Sequence, residues 1–134
     1  MQLINNPDIT KMCVYKIARI IYAETYAKSL RVVEALASMI YNNLQTTQRT
    51  LDMLITDSNL FESLNKQSEH HWALSVDARN RGFQMCLRTV NRMLNGNLRD
   101  TCFGAMRFHR DEMLPDWAVA RGYIADIDGL LFYL

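Results

Sequence analysis

From position 9 to position 44, apolar side chains return every three or four residues. This period constrains the fold more than any other feature of the chain. Ile9, Cys13, Ile17, Ile20 and Ile21 form one stripe, and Val32, Val33, Leu36, Ala37, Ile40 and Leu44 form a second. A period of 3.6 residues belongs to helices that bury one face. The pattern predicts a helix over 8–25, opened by Asn5-Asn6-Pro7-Asp8, and a helix over 30–45 capped by Ser29. Ala35, Ala37 and Ser38 are small enough to let helices approach closely. Thr50 opens a short helix in TLDMLITD. A third stripe, Phe83, Cys86, Leu87, Val90, Met93 and Leu94, predicts a helix over 76–95. Ser75 or Asp77 is its expected cap, and Gly96 its left-handed terminator.

The last third changes period. GAMRFHR alternates, and Asp128-Gly129 lies between two β-prone runs, a strong hairpin signal. Strands are expected over 104–109, 121–127 and 130–134. Between the helices, the polar stretch SNLFESLNKQSEHHWALS is long for a connector, and long structured connectors often carry function. The layout is α+β: mainly helical, with a small three-stranded antiparallel sheet near the C-terminus. At 134 residues, the chain suffices for a single domain spanning 1–134 with its own core.

Composition narrows the function classes. Fifteen basic and 14 acidic residues leave a formal charge of +1, so no strong field points to nucleic acid. No apolar run approaches the roughly 18 residues of a membrane span, so no stable membrane insertion is expected. MQLINNPDITKM has no basic segment leading into an apolar one, and it does not read as a secretory signal. The three cysteines, Cys13, Cys86 and Cys102, have no CxxC spacing and read as small buried hydrophobes, with a disulfide left open.

One residue breaks the first stripe. Glu24 falls in the last turn of the predicted helix, among Ile20, Ile21, Tyr22 and Ala23. Apolar neighbours and the negative end of a helix both disfavour its ionised form, which is what a general acid for glycosidic cleavage requires. The alternative is a carboxylate paired with a base such as Arg19 or Lys28. His70, His71 and His109 raise a metal question, but HExxH is absent, and adjacent histidines on a helix point about 100° apart. Glu24 with two of the histidines would have to converge in space. A thiol nucleophile would have to be Cys102, the one cysteine near a loop. Phe61, Glu62, Asn65, Arg107, His109, Trp117 and Tyr133 mix rings with amides and charges, which suits a sugar cleft; ordinary packing is the alternative for each.

IARIIYAE at 17–24 and VVEALASMIYNNL at 32–44 resemble the spore-cortex-lytic, SleB-like family of cell wall hydrolases. LFESLNK, GAMRFHRDEMLPDW and GLLFY resemble its later blocks, in family order. Departures are Asn42-Asn43 for the family's Asn-Arg, Leu60 for a Gln, and Leu130-Leu131 where a His precedes the terminal Phe-Tyr. The resemblance implies a lysozyme-like core and a lytic transglycosylase that cuts the MurNAc-GlcNAc bond of peptidoglycan. Glu24 would be the catalytic acid, and Asn42, Phe61, Glu62, Arg107, His109, Trp117 and Tyr133 would bind substrate. It implies no cofactor or metal and glycan strands as the partner; the oligomeric state is open, with a monomer as the default. A second acid or base could be Glu62, Glu112, Asp116 or none of these. It further implies cytoplasmic synthesis with phage-type release to the wall, or a domain excised from a longer exported protein. Rival readings are a metal-dependent N-acetylmuramoyl-L-alanine amidase, a non-catalytic glycan-binding domain, and a helical interaction protein with no ligand, which would leave the cleft aromatics unexplained.

Overall fold

The apolar stripes become the buried faces of helices. The computed structural model of the protein describes residues 7–134, with side chains from Met12 onward. Asn5, Asn6 and the side chain of Ile9 lie outside the described residues. Helix α1 runs Pro7–Thr25 and helix α2 runs Leu30–Thr46. Ser29 caps α2 by accepting a hydrogen bond from the Val32 N–H at 3.1 Å. Tyr26 (φ 54°) and Ala27 (φ 51°) turn the chain between the two helices in the left-handed region. That conformation costs roughly 1–2 kcal/mol for each residue with a Cβ. Helix α3, Leu51–Ile55, is short and capped by Thr50.

Helix α4 begins later than its sequence signal. It spans Arg81–Leu94, and its cap is Asn80, whose side chain accepts from the Phe83 N–H at 3.0 Å. Neither Ser75 nor Asp77 caps it. Ser75 closes a 3-10 turn over His71–Ser75, and the Asp77 carboxylate is taken up by the Arg79 N–H and guanidinium. Residues 57–80 are a succession of tight turns, including a 3-10 turn at Glu62–Leu64. Short-range backbone bonds such as Leu64 N–H to Phe61 C=O, Asn65 to Glu62 and Ala73 to His70 satisfy much of this segment without regular structure. Gly96 (φ 73°) ends α4 as its sequence signal indicates.

Three strands follow: β1 (Arg107–Arg110), β2 (Tyr123–Ile127) and β3 (Leu130–Tyr133). They form an antiparallel sheet in the order β1-β3-β2, with Phe108 opposite Phe132. Strand β1 starts at Arg107 rather than 104. Phe103 and Gly104 are left-handed there, in a turn whose amides at Cys102 and Gly104 bond the Asp100 carboxylate. Asp128 (φ 49°) and Gly129 (φ 93°) form the two-residue hairpin loop. The architecture is thus α+β, mainly helical with a small three-stranded sheet near the C-terminus. The core lies between α1, α2, α4 and the sheet, around Ile17, Ile21, Leu36, Phe83 and Phe132. Gly82 at the start of α4 sits against the end of α1, where a Cβ would come within 2.8 Å of the Ala27 Cβ. Among the described residues, no helix is long and apolar enough to cross a membrane.

Candidate active site

Glu24 sits in the last turn of α1, only 3% exposed. Its partners come from two distant segments. Arg110 at the end of β1 donates from Nη2 to Glu24 Oε1 at 2.9 Å, and the Ser63 N–H donates to Oε2 at 2.9 Å. The same Arg110 Nη2 also bonds the Ala23 carbonyl at 2.7 Å. His71 braces this arrangement, donating from Nδ1 to the Ser63 carbonyl at 2.8 Å. Burial pushes the Glu24 carboxyl above the ordinary range, and Arg110 and Ser63 only partly oppose it. A carboxylate has about four lone-pair directions. Two are used here, so a proton on one oxygen is compatible with both bonds.

The basic partner is therefore neither Arg19 nor Lys28. Arg19 lies over the rings of Tyr15 and Phe83, and Lys28 reaches the Asp128 carbonyl. Arg110 was legible only indirectly. On an alternating strand it shares the face of Phe108, and an inward arginine needs an acid.

Glu24 and Arg110 line an open cleft of about 380 Å³. Its walls include Asn59, Asn65, Glu62, His109 and Trp117, with Leu60 and Phe108 supplying apolar surface. Glu62 Oε1 lies 3.5 Å from Arg110 Nη1, close enough to share its charge. His109 donates from Nδ1 to the Arg110 carbonyl at 2.7 Å. In the neutral ring, Nε2 is then left to accept from the Tyr133 hydroxyl at 2.9 Å. Trp117 stands edge-on to Tyr133, with centroids 5.1 Å apart, and the Arg107 guanidinium covers its ring at 4.5 Å. A second cavity of about 270 Å³ shares the wall formed by Asn59, Leu60 and Trp117, and extends past Arg107 and Asn43.

The structure thus gathers Glu24, Glu62, Asn65, His109 and Trp117 at one cleft and puts Arg107 on its extension. Three residues read as substrate-binding lie elsewhere. Phe61 is fully buried in the core, packed on Phe108 at 6.2 Å. Tyr133 stands behind the wall and holds His109 rather than lining the cleft. Asn42 bonds the Ala105 carbonyl and the Asp100 carboxylate, tying α2 to the turn before β1. Its neighbour Asn43 reaches the extension instead. Of the other acids considered, Glu112 is not on the main cleft but lines a smaller cavity that Glu24 and Arg110 also border, and Asp116 lines neither the cleft nor its extension.

Cys102 is no nucleophile, because burial and then the Asp100 charge push its thiol up to about 12. Burial does the same to Cys86, up to about 12. All three cysteines are free thiols; Cys86 and Cys102 are buried as expected, whereas Cys13 is only half-buried. Glu24 does not converge with two histidines. Among the described residues, the group with metal-binding spacing is Glu69, His70 and Glu112. Residues that sequence reasoning passed over are Arg110, Asn59 and Ser63, the last contributing only its backbone amide. Comparison with protein-family models, with characterised proteins and with solved structures finds no match to this chain.

Proposed function

We propose that this chain is a SleB-like cell wall glycosidase with a lysozyme-like core, and that it cleaves the MurNAc-GlcNAc bond of peptidoglycan as a lytic transglycosylase. The reading rests on Glu24, a carboxyl with a raised pKa at the floor of an open cleft. Glu24 gives its proton to the bridging oxygen as the bond to C1 of the muramic sugar breaks. The departing GlcNAc keeps that proton as a hydroxyl. Arg110 Nη2 and the Ser63 N–H then hold the carboxylate that remains. The substrate's own acetamido group steadies the cation at C1, as in glycosidases that lack a second enzymic carboxylate. The muramic 6-hydroxyl bonds to C1 and returns its proton to Glu24, leaving a 1,6-anhydro end. Asn59, Asn65 and the Trp117 ring suit the amides and the apolar faces of the sugars.

A second reading, a non-catalytic glycan-binding domain, is favoured by one feature. Both oxygens of Glu24 are engaged by protein donors, as in a structural ion pair. Mass spectrometry of purified peptidoglycan treated with the protein and with Glu24→Gln separates the readings. Anhydro-muramyl products from the wild type alone are the expected result. Reducing muramic ends would make the enzyme a hydrolytic muramidase with the same acid. Free peptides with intact glycan would assign amide cleavage. Binding without products would assign the second reading.

A further inference from the structure

We propose that Glu69, His70 and Glu112 form a binding site for a divalent transition-metal ion, of which Zn²⁺ is the representative. The site is independent of the glycan reading. Its three donor atoms lie within 4.8 Å of one another. His70 Nε2 is 3.1 Å from Glu112 Oε1 and 3.5 Å from Glu69 Oε1. An ion about 2.1 Å from each donor keeps neighbouring donors about 3.0–3.4 Å apart, at octahedral and tetrahedral angles respectively. The two separations from His70 are close to those values, so side-chain adjustments within the 4.8 Å group would seat an ion.

The imidazole is already aimed. The His70 side chain is 15% exposed, and its Nδ1 is bonded to the Tyr26 hydroxyl at 2.6 Å. With metal on Nε2, the neutral ring carries its proton on Nδ1, and the Tyr26 oxygen accepts it. Fixing a ligating histidine through its other nitrogen is the usual outer support of a metal site. Two carboxylates balance the ion's charge. One nitrogen among the oxygens favours a transition ion over Ca²⁺ or Mg²⁺, which prefer oxygen alone. His70 and Glu112 line a cavity of about 80 Å³ that Glu24 and Arg110 also border, leaving room for water at the open coordination positions. Bound metal would tie the segment of tight turns to the loop after β1, across 42 residues of chain.

Isothermal titration of the full, untagged chain with Zn²⁺ tests this. One saturable equivalent is expected, resistant to competition by Mg²⁺ and Ca²⁺. His70→Ala and Glu112→Gln should abolish it. Tyr26→Phe should weaken it about 10–100-fold, the usual effect of losing an outer partner. Far-ultraviolet circular dichroism checks that each variant is folded, and Glu112, on a half-exposed loop, is the safer substitution. No saturable binding by the wild type, or unchanged binding by folded Glu112→Gln and His70→Ala, overturns the proposal.

Discussion

Arg110 and Glu24 are 86 residues apart in the chain and 2.9 Å apart in the fold, both almost wholly buried. Taking two charges out of water costs about as much as their attraction returns, so such a pair is weak grounds for stability. Its consequence is chemical. Burial lifts the pKa of Glu24, and Arg110 limits how far.

Stability should therefore depend on the protonation of Glu24. A carboxyl whose folded pKa lies above its unfolded value near 4.5 binds its proton more tightly in the native state. That contribution is fully present below about pH 4.5 and is lost as pH rises through the native value. Glu24→Gln does not titrate. The melting temperature of the wild type minus that of Glu24→Gln should fall with rising pH across this window. A flat difference would mean that Arg110 and Ser63 cancel the effect of burial.

Arg110→Met removes the charge that holds the Glu24 pKa down. The acid should then stay protonated to higher pH, moving the alkaline limb of the kcat/KM profile on peptidoglycan upward. The rate should also fall by about a hundredfold, because the carboxylate left after proton transfer loses its charged donor. A limb that does not move would remove Glu24 as the titrating acid.

Trp117→Ala strips a ring from the wall without touching Glu24. About 1 kcal/mol of binding should be lost, raising KM several-fold with kcat nearly unchanged. Loss confined to kcat would place Trp117 in the chemistry instead.

Gly82→Ala should destabilise the fold by about 1–3 kcal/mol, read from denaturant midpoints. The added methyl would stand 2.8 Å from the Ala27 Cβ, and Ala27 is held in a left-handed conformation that leaves it little freedom to yield.

Thiol titration with an aromatic disulfide at pH 8 should leave Cys86 and Cys102 unmodified in the native protein. With thiols pushed up to about 12, only about one part in ten thousand is thiolate at that pH. Both should react once denaturant exposes them. Rapid native labelling of either would contradict its burial.

Local signals carried much of the secondary structure into the sequence. The 3.6-residue stripes placed α1 and α2, while Ser29, Thr50, Gly96 and Asp128-Gly129 marked a turn, a cap or an end by chemistry confined to a few residues. Where two caps competed, sequence could not choose. Asp77 is an apt cap, but its carboxylate is occupied by Arg79, and Asn80 starts α4 instead. Glu24 stood out for a local reason too, as an acid flanked by aliphatic side chains. Its partner did not, because an ion pair between α1 and β1 depends on the packing that brings a helix end to a strand end. Only tertiary structure sent Phe61 to the core and Tyr133 behind His109, since an aromatic ring serves a wall or a core equally well. The same holds for Glu69, His70 and Glu112, whose donors meet because the segment of tight turns folds back against the loop after β1. Sequence determined the periods, the caps and the odd carboxylate. Burial, partner and cavity are properties of distant segments in contact, and they were decided by how those segments pack.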